Sequence, residues 1–315
     1  RLDGVTGVQT CALPILLRHE IAHNATGGNS VKINTATQLC AVIGNPVAHS
    51  FSPALHNAAF EALKLNYIYV AFRVEDVAGA LTGMRALPSF RGMSVTIPHK
   101  VAVMPYLDEI DPLAQHVGCV NTITNEQGRL LGSITDGVGT LRAFDEAGVS
   151  LEGKRVLFAG AGGAVRAVAF AMAEKARPAG ITILGRTRSR VESLVRDLRE
   201  TSPTPITAGD LATEVPKAMA AHEVVVQGTP LGMFGHETDE SSIPVEYLRP
   251  EQVVFDMVYR PVKTRLIEAA EMAGCKVVLG MEMLLHQAVL QFESWTGVRA
   301  PEEVMRAALR KEVQT

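Results

Sequence analysis

The sequence predicts an α/β protein built on two doubly wound open sheets. Three observations carry this. From residue 39 to residue 134, short apolar runs alternate with amphipathic stretches, a pattern that indicates an open, largely parallel sheet. A glycine-rich turn, Gly160-Ala161-Gly162-Gly163, then joins the strand-like run 156–159 to the small-residue run 164–173, which reads as a helix packed tightly on a sheet. Further strand–helix pairs follow as far as residue 279 and make a second sheet.

The elements come in this order. Cys40-Ala41-Val42-Ile43-Gly44 reads as a buried strand, and a polar loop runs on to Ser52. Pro53 suits the first turn of a helix, with Ser52 as its N-cap and Leu55, Ala58, Ala59, Ala62 and Leu63 as its apolar stripe. Strand 67–72, helix 77–87 and strand 93–97 follow, the last ended by Pro98. Pieces of helix between 100 and 116 lead to strands near 120–124 and 130–134. A helix from Gly137 through Leu141 and Phe144 leads to the glycine turn. Strands 181–184, 224–227, 253–258 and 277–279 come after it, and the end is helical over 282–296 and 301–313, with no strand of its own to pack against.

Bulk properties narrow the function. The 315 residues suffice for two domains at roughly 150 each. Hydrophobic content of 47% and charged content of 20% are those of an ordinary globular protein. A net charge of -3 argues against a nucleic-acid surface, and no apolar run approaches the roughly 20 residues of a membrane span. Four scattered cysteines suggest neither a disulfide framework nor a metal site, so a reducing cytoplasm is the expected location. Residues 1–38 stand apart. Val5-Thr6-Gly7-Val8-Gln9-Thr10-Cys11-Ala12-Leu13-Pro14-Ile15 resembles the translation of a sequencing adapter, which marks it as an assembly artefact at the end of a truncated reading frame. The alternative, a signal peptide, lacks a good charged start and cleavage site. Residues 16–38 are polar and read as a linker.

The glycine turn has a definite chemistry. Gly160, Gly162 and Gly163 let the backbone approach a pyrophosphate, and the N–H groups at the start of the helix, from Ala164, point at its charge. Gly160 and Gly162 fit the first two positions of the dinucleotide fingerprint, but the sixth is Val165 rather than Gly or Ala. Tight turns need glycine in any case, so the surrounding motifs decide.

Those motifs are Gly44-Asn45-Pro46-Val47-Ala48-His49-Ser50-Phe51-Ser52-Pro53-Ala54-Leu55-His56-Asn57, Ser94-Val95-Thr96-Ile97-Pro98-His99-Lys100, and Val120-Asn121-Thr122 with Thr135-Asp136 after it. The glycine turn, Asp256-Met257-Val258-Tyr259, and Gly280 through Met283 to Gln287 complete a set of six in one order. Together they resemble the shikimate dehydrogenase family over nearly everything from Leu39 onward. The resemblance implies a two-domain enzyme with its active site in the cleft between the domains. It implies a substrate-binding catalytic domain at 39–136, a Rossmann-type NADP domain at 137–280, and C-terminal helices at 281–315 that return to the first domain. The implied reaction is the reversible reduction of the C3 ketone of 3-dehydroshikimate to shikimate by NADPH, in aromatic amino-acid biosynthesis.

Each site residue has a plainer alternative. Ser50 and Ser52 could donate to a substrate carboxylate, as the family motif implies, or Ser52 could cap the helix and Ser50 satisfy a turn. His49 and His56 read as structural. Lys100 and Asp136 sit at strand ends where a facing pair would make one polarised unit. Ketone reduction needs a positioned proton donor. The resemblance makes Lys100 that acid or the stabiliser of the developing alkoxide, with Asp136 orienting it. Asp136 could also cap the helix from Gly137. Thr96, Asn121 and Gln287 would by themselves be turn or core residues, and the resemblance assigns them to substrate. Tyr259 is packing by itself, and substrate or nicotinamide contact by family.

The cofactor can be argued from charge. NAD sites usually carry an acid after the second strand, for the ribose hydroxyl. Here that place reads Gly185-Arg186-Thr187-Arg188-Ser189-Arg190, without an acid. Guanidinium groups suit a 2′-phosphate, and cations at a helix start otherwise oppose its dipole. Arg186, Thr187 and Arg190 match the family's NADP clamp, while Thr229, Met233 and Gly280 fall where the nicotinamide would be flanked. Ser94, Ile134 and Gly185 replace asparagines usual in the family, and Gln227-Gly228 stands where Asn-Ala is common. Ile134 puts the setting of Asp136 in doubt. Two other readings are an NAD-linked quinate/shikimate dehydrogenase, which calls for an acid near Gly185, and a non-catalytic shikimate- or quinate-sensing regulator, which should have lost Lys100 or Asp136. The expected partner is a small-molecule substrate, with a homodimer as the expected assembly and no nucleic acid, membrane or metal. The lead-in 30–38 resembles the join in proteins that fuse a dehydroquinate dehydratase to this enzyme, which would make the chain a truncated fusion.

Overall fold

The computed structural model describes residues 33–314. The adapter-like segment and most of the expected linker lie outside the described residues. The first strand, β1 (Gln38–Gly44), starts at the last residue assigned to the linker. Asn34 and Thr37 already close a turn ahead of it, with Thr37 Oγ1 2.7 Å from Asn66 Oδ1.

The first sheet assembles from β1, α1 (Ser52–Ala62), β2 (Tyr67–Arg73), α2 (Val77–Arg85), β3 (Phe90–Val95), α3 (His99–Ala102), β4 (Glu109–Ile110), α4 (Pro112–Val117), β5 (Thr122–Glu126) and β6 (Arg129–Ser133). Its order is β2-β1-β3-β5-β6-β4. β1 is paired in parallel on both sides and carries the apolar run Cys40 to Ile43, all buried. The expectation of a largely parallel sheet holds except at β5, which runs antiparallel to both neighbours. A two-residue turn, Gln127 (φ 54°) and Gly128 (φ 90°), closes the β5–β6 hairpin. Two positive φ values in succession are the conformation that matches strand twist there.

Helix α1 corrects one expectation: the N-cap is Phe51, no side chain caps it, and Ser52 is the first helical residue. Likewise α5 (Asp136–Glu146) starts at Asp136, with Thr135 at the cap and no capping side chain. Asp136 therefore does not cap a helix from Gly137.

The second sheet follows through β7 (Arg155–Ala159), α6 (Gly163–Lys175), β8 (Gly180–Gly185), α7 (Arg188–Thr201), β9 (Ile206–Asp210), α8 (Val215–Ala221), β10 (Val224–Gln227), β11 (Val253–Asp256), α9 (Arg265–Met272) and β12 (Lys276–Leu279). Its order is β12-β11-β10-β7-β8-β9, parallel throughout. That is the dinucleotide-binding order, and the turn after β7 lies where the winding reverses, between β7 and β10. The edge strand β9 was not expected from the sequence.

Two helices complete the chain, α10 (Gly280–Thr296) and α11 (Glu302–Val313). Helix α11 packs on α1 and α10, and α10 lies against β3 and β5 of the first sheet. Trp295 is fully buried there, its Nε1 donating to Ile123 O at 3.0 Å beside Gly92. Burying a large side chain of this kind stabilises by roughly 1.5–3 kcal/mol or more. Arg306 on α11 is buried among Glu146, Glu282 and Glu302, and so ties α11 to α5 and α10. Where α5 crosses α10, a Cβ at Gly139 would lie 2.7 Å from Gln287 N, so only glycine permits the approach. Among the described residues no helix is long and apolar enough to cross a membrane.

Candidate active site

A cleft of about 360 Å³ opens between the C-terminal ends of the two sheets. It brings together Ser50, Ser52, Thr96, Lys100, Asn121, Asp136, Tyr259 and Gln287, the residues expected at a substrate, with Ala164 and Gly280 from the nucleotide side. They arrive from the β1–α1 loop, the end of β3, α3, the start of β5, α5, the segment after β11, and α10.

Lys100 Nζ donates to Asp136 Oδ2 at 2.6 Å, and Asn121 Nδ2 donates to Asp136 Oδ1 at 2.9 Å. Asp136 is only 4% exposed, so its charge is compensated by these two donors and not by water. Burial alone would lower the Lys100 ammonium, but the Asp136 carboxylate more than reverses this and holds it above its ordinary value. Lys100 is therefore an ammonium at neutral pH, with one N–H on Asp136 and two left for a molecule in the cleft. The buried Ile134 does not loosen this setting. Its side chain joins the core, its N–H donates to Asp111 Oδ2 at 3.2 Å, and Asp136 is held from Lys100 and Asn121.

On the opposite wall, Ser50 Oγ accepts from Ser52 N at 3.3 Å, so the turn role expected as an alternative is filled while its O–H is spare. Tyr259 is 40% exposed and meets Phe51 edge-on at 6.1 Å. Gln287 Oε1 accepts from Asn121 Nδ2 at 3.2 Å. His49 is exposed on the rim. His56 is fully buried, stacked on Tyr69 at 4.4 Å, and burial pushes it down to about 3. Ser94 and Gln291 also line the cleft, though sequence reasoning gave neither a role. The signal for Gln291 was its place four residues after Gln287, on the same face of α10.

The remaining nucleotide-side residues lie outside this cleft, along the C-terminal edge of the second sheet. Gly160 has φ 120°, and a Cβ there would sit 2.9 Å from Gly228 O. Cβ atoms at Gly162 and Gly163 would meet only open space, as a cradle for a phosphate group requires. The first bond of α6 runs from Arg166 N to Gly162 O, which leaves the three preceding N–H groups facing outward. Thr229 Oγ1, beside Gly160, is buried without a partner among the described residues. Arg186, Thr187 and Arg190 are exposed at the end of β8. Arg188 pairs with Glu192 at 2.7 Å, whereas no acidic side chain among the described residues engages Arg186 or Arg190. These features fit a dinucleotide with a 2′-phosphate. Met233 sits in a turn closed by its N–H on Pro230 O and is not brought to the cleft.

A mismatch to the dinucleotide fingerprint, Val165, and a departure from the family pattern, Gly228, explain each other. A Cβ at Gly228 would lie 2.1 Å from Val165 Cγ2. The larger residue at the sixth fingerprint position is accommodated by the missing one at the end of β10.

The chain matches the family model "Shikimate dehydrogenase substrate binding domain" over residues 42–123 and "Shikimate 5'-dehydrogenase C-terminal domain" over 280–310. It is 43% identical over 286 residues to the shikimate dehydrogenase (NADP(+)) of Moorella thermoacetica, covering 89% of this chain and 95% of that one. Among solved structures, a shikimate dehydrogenase in complex with NADP+ superposes with a TM-score of 0.84 at 37% identity, covering 92% of this chain and all of that one. The Thermus thermophilus shikimate 5-dehydrogenase, solved with NADP(H) and shikimate, gives 0.76 at 35% identity, over 88% of this chain and all of its own. With its paired Lys100 and Asp136 and its dinucleotide-ordered second sheet, this chain belongs to the shikimate dehydrogenase family.

Proposed function

We propose that this protein interconverts 3-dehydroshikimate and shikimate with NADP(H), the reaction of the relatives it matches. The observation that carries the reading is the Lys100–Asp136 pair, 2.6 Å apart in a cleft that Ala164, from the helix after the glycine turn, also lines. NADPH, when bound, supplies hydride to the ketone carbon. Gly160, Gly162, Gly163 and the start of α6 would hold its pyrophosphate, Arg186, Thr187 and Arg190 its 2′-phosphate, and Thr229 and Gly280 its nicotinamide end. Lys100 hydrogen-bonds the C3 oxygen and gives it a proton as charge develops there, and in the reverse direction its neutral amine takes that proton back. Asp136 holds the ammonium in place and keeps it charged. Ser50 and Ser52 donate to the ring carboxylate, and Thr96, Asn121, Tyr259 and Gln287 bind the remaining face.

The domain division follows the same reading: substrate binding at 39–136 with 281–315, nucleotide binding at 137–280. The unpaired thiols of Cys40, Cys119 and Cys275 support a cytoplasmic enzyme. The test is loss of NADPH absorbance with 3-dehydroshikimate. Lys100→Ala is expected to lower turnover by on the order of a hundredfold or more, with NADPH binding by fluorescence titration little changed. Wild-type protein that leaves NADPH unoxidised ends the reading, and equal turnover in the two proteins removes Lys100 from it.

A further inference from the structure

We infer that Tyr69, Ser94, Gln291 and Thr122 are positioning residues, linked in a one-way chain of hydrogen bonds that sets the amide of Asn121 and through it the carboxylate of Asp136. The inference deepens the reading just given and rests on it.

Donor direction can be worked out link by link. Thr135 N donates to Asn121 Oδ1 at 2.9 Å. A backbone N–H can only donate, so this side of the amide is oxygen and Nδ2 faces Asp136. Thr122 Oγ1 lies 2.7 Å from the same Oδ1 and must therefore donate to it. Its lone pair accepts from Gln291 Nε2 at 2.9 Å. That nitrogen also donates to the Asn121 carbonyl at 3.3 Å, which can only accept, so the Gln291 amide is fixed independently. Gln291 Oε1 then accepts from Ser94 Oγ at 2.8 Å. With its one hydrogen used, Ser94 accepts from Tyr69 OH at 2.7 Å.

The direction is unbroken from Tyr69 to Asp136, where Lys100 donates from the other side. From Tyr69 to Asp136 every member is at most 7% exposed, so water does not compete for these links, and each bond polarises the next. The arrangement has a specific effect. Asn121 Oδ1 is saturated by donors from within the protein, so Asn121 turns only N–H toward the cleft: one hydrogen is on Asp136, and the other, on Gln287 at 3.2 Å, is the one a bound molecule can share. Asp136 cannot turn without breaking its bond to Asn121, and so presents Oδ2 to Lys100. Since the chain ends at a buried phenol and includes an amide link, it is a rotational lock and not a proton path.

The experiment uses the full chain and NADPH oxidation with 3-dehydroshikimate. Gln291→Met removes the central link with little change of volume, and Tyr69→Phe removes the far end, outside the cleft lining. Gln291→Met is expected to lower kcat about tenfold and Tyr69→Phe about threefold, with KM for NADPH unchanged within about twofold, on the scale of one or two weakened hydrogen bonds. Lys100 faces Asp136, Cys119 and Tyr259. A looser Asp136 therefore moves the alkaline limit of kcat for reduction to lower pH, which a purely structural loss would not do. In an Asn121→Ala background neither substitution has a further effect beyond about twofold. Wild-type kcat and pH profile in Tyr69→Phe, or the full decrease persisting in the Asn121→Ala background, overturns the inference. An inactive wild-type protein overturns instead the reading on which it rests.

Discussion

Gly228→Ala tests whether Val165 and Gly228 are one packing unit. The new methyl would lie 2.1 Å from Val165 Cγ2 and 3.1 Å from Met257 Sδ. Val165 is fully buried in the first turn of α6. A valine on a helix has one strongly preferred rotamer, so it cannot swing aside. The helix start or the end of β10 must move, at a cost of about 1–3 kcal/mol. Val165→Ala alone removes two buried methyl groups and costs roughly 1.5–3 kcal/mol. In the double variant the added methyl enters the space the valine vacates, so the combined loss falls short of the sum by about 1–2 kcal/mol. The measurement is the urea midpoint of the four proteins at equal m, supported by Tm, which Gly228→Ala should lower by roughly 2–5 °C. Losses that add to within about 0.5 kcal/mol, or a wild-type midpoint for Gly228→Ala, would refute the pairing.

Other outcomes follow from charge. Arg186→Ala combined with Arg190→Ala should raise KM for NADPH by roughly ten- to a hundredfold, the worth of about 1.5–3 kcal/mol in charged hydrogen bonds, while leaving KM for NADH nearly unchanged. Parallel losses with both cofactors would remove these arginines from phosphate recognition. Asp256 is fully buried, accepting from Thr264 Oγ1 and Val258 N, and burial raises its carboxyl to about 6. The folded protein thus holds this proton more tightly than the unfolded chain. Its stabilising effect is complete below about pH 4 and is lost as pH rises through 6, a fall of about 3 kcal/mol. Asp256→Asn should remove that part of the slope from urea midpoints measured between pH 4 and 7, and identical slopes in the two proteins would exclude it.

How far the sequence could be read depended on local apolar pattern. The buried central strands β1, β7 and β10 were evident because uninterrupted apolar runs mark a strand covered on both faces. The edge strand β9 was missed for the converse reason: Ile206-Thr207-Ala208-Gly209-Asp210 buries only Ile206 and lacks an apolar face. The reversal of β5 was legible in the Gln127-Gly128 pair between two strand-like runs, a hairpin signal that outweighs the alternation around it. In the site, Lys100, Asp136 and Asn121 were found through motifs lying next to strand ends. Gln291 and Ser94, 197 positions apart in sequence, belong together only because α10 crosses the first sheet. No local rule sees such a pair. The helix caps failed at Ser52 and Asp136 because both side chains face the cleft, where cap geometry would have drawn them away.

Among the described residues the chain passes between the two sheets only twice, outward along α5 and back along α10. These helices lie against each other where Gly139 admits Gln287. Helices α4 and α6 also bridge the halves, through Arg166 donating to His116 O and Val117 O, so the wall of the cleft is one of the places where a change in their angle must be taken up. A rotation that widens the mouth of the cleft thereby also turns Gln287, which lines it beside Gly139.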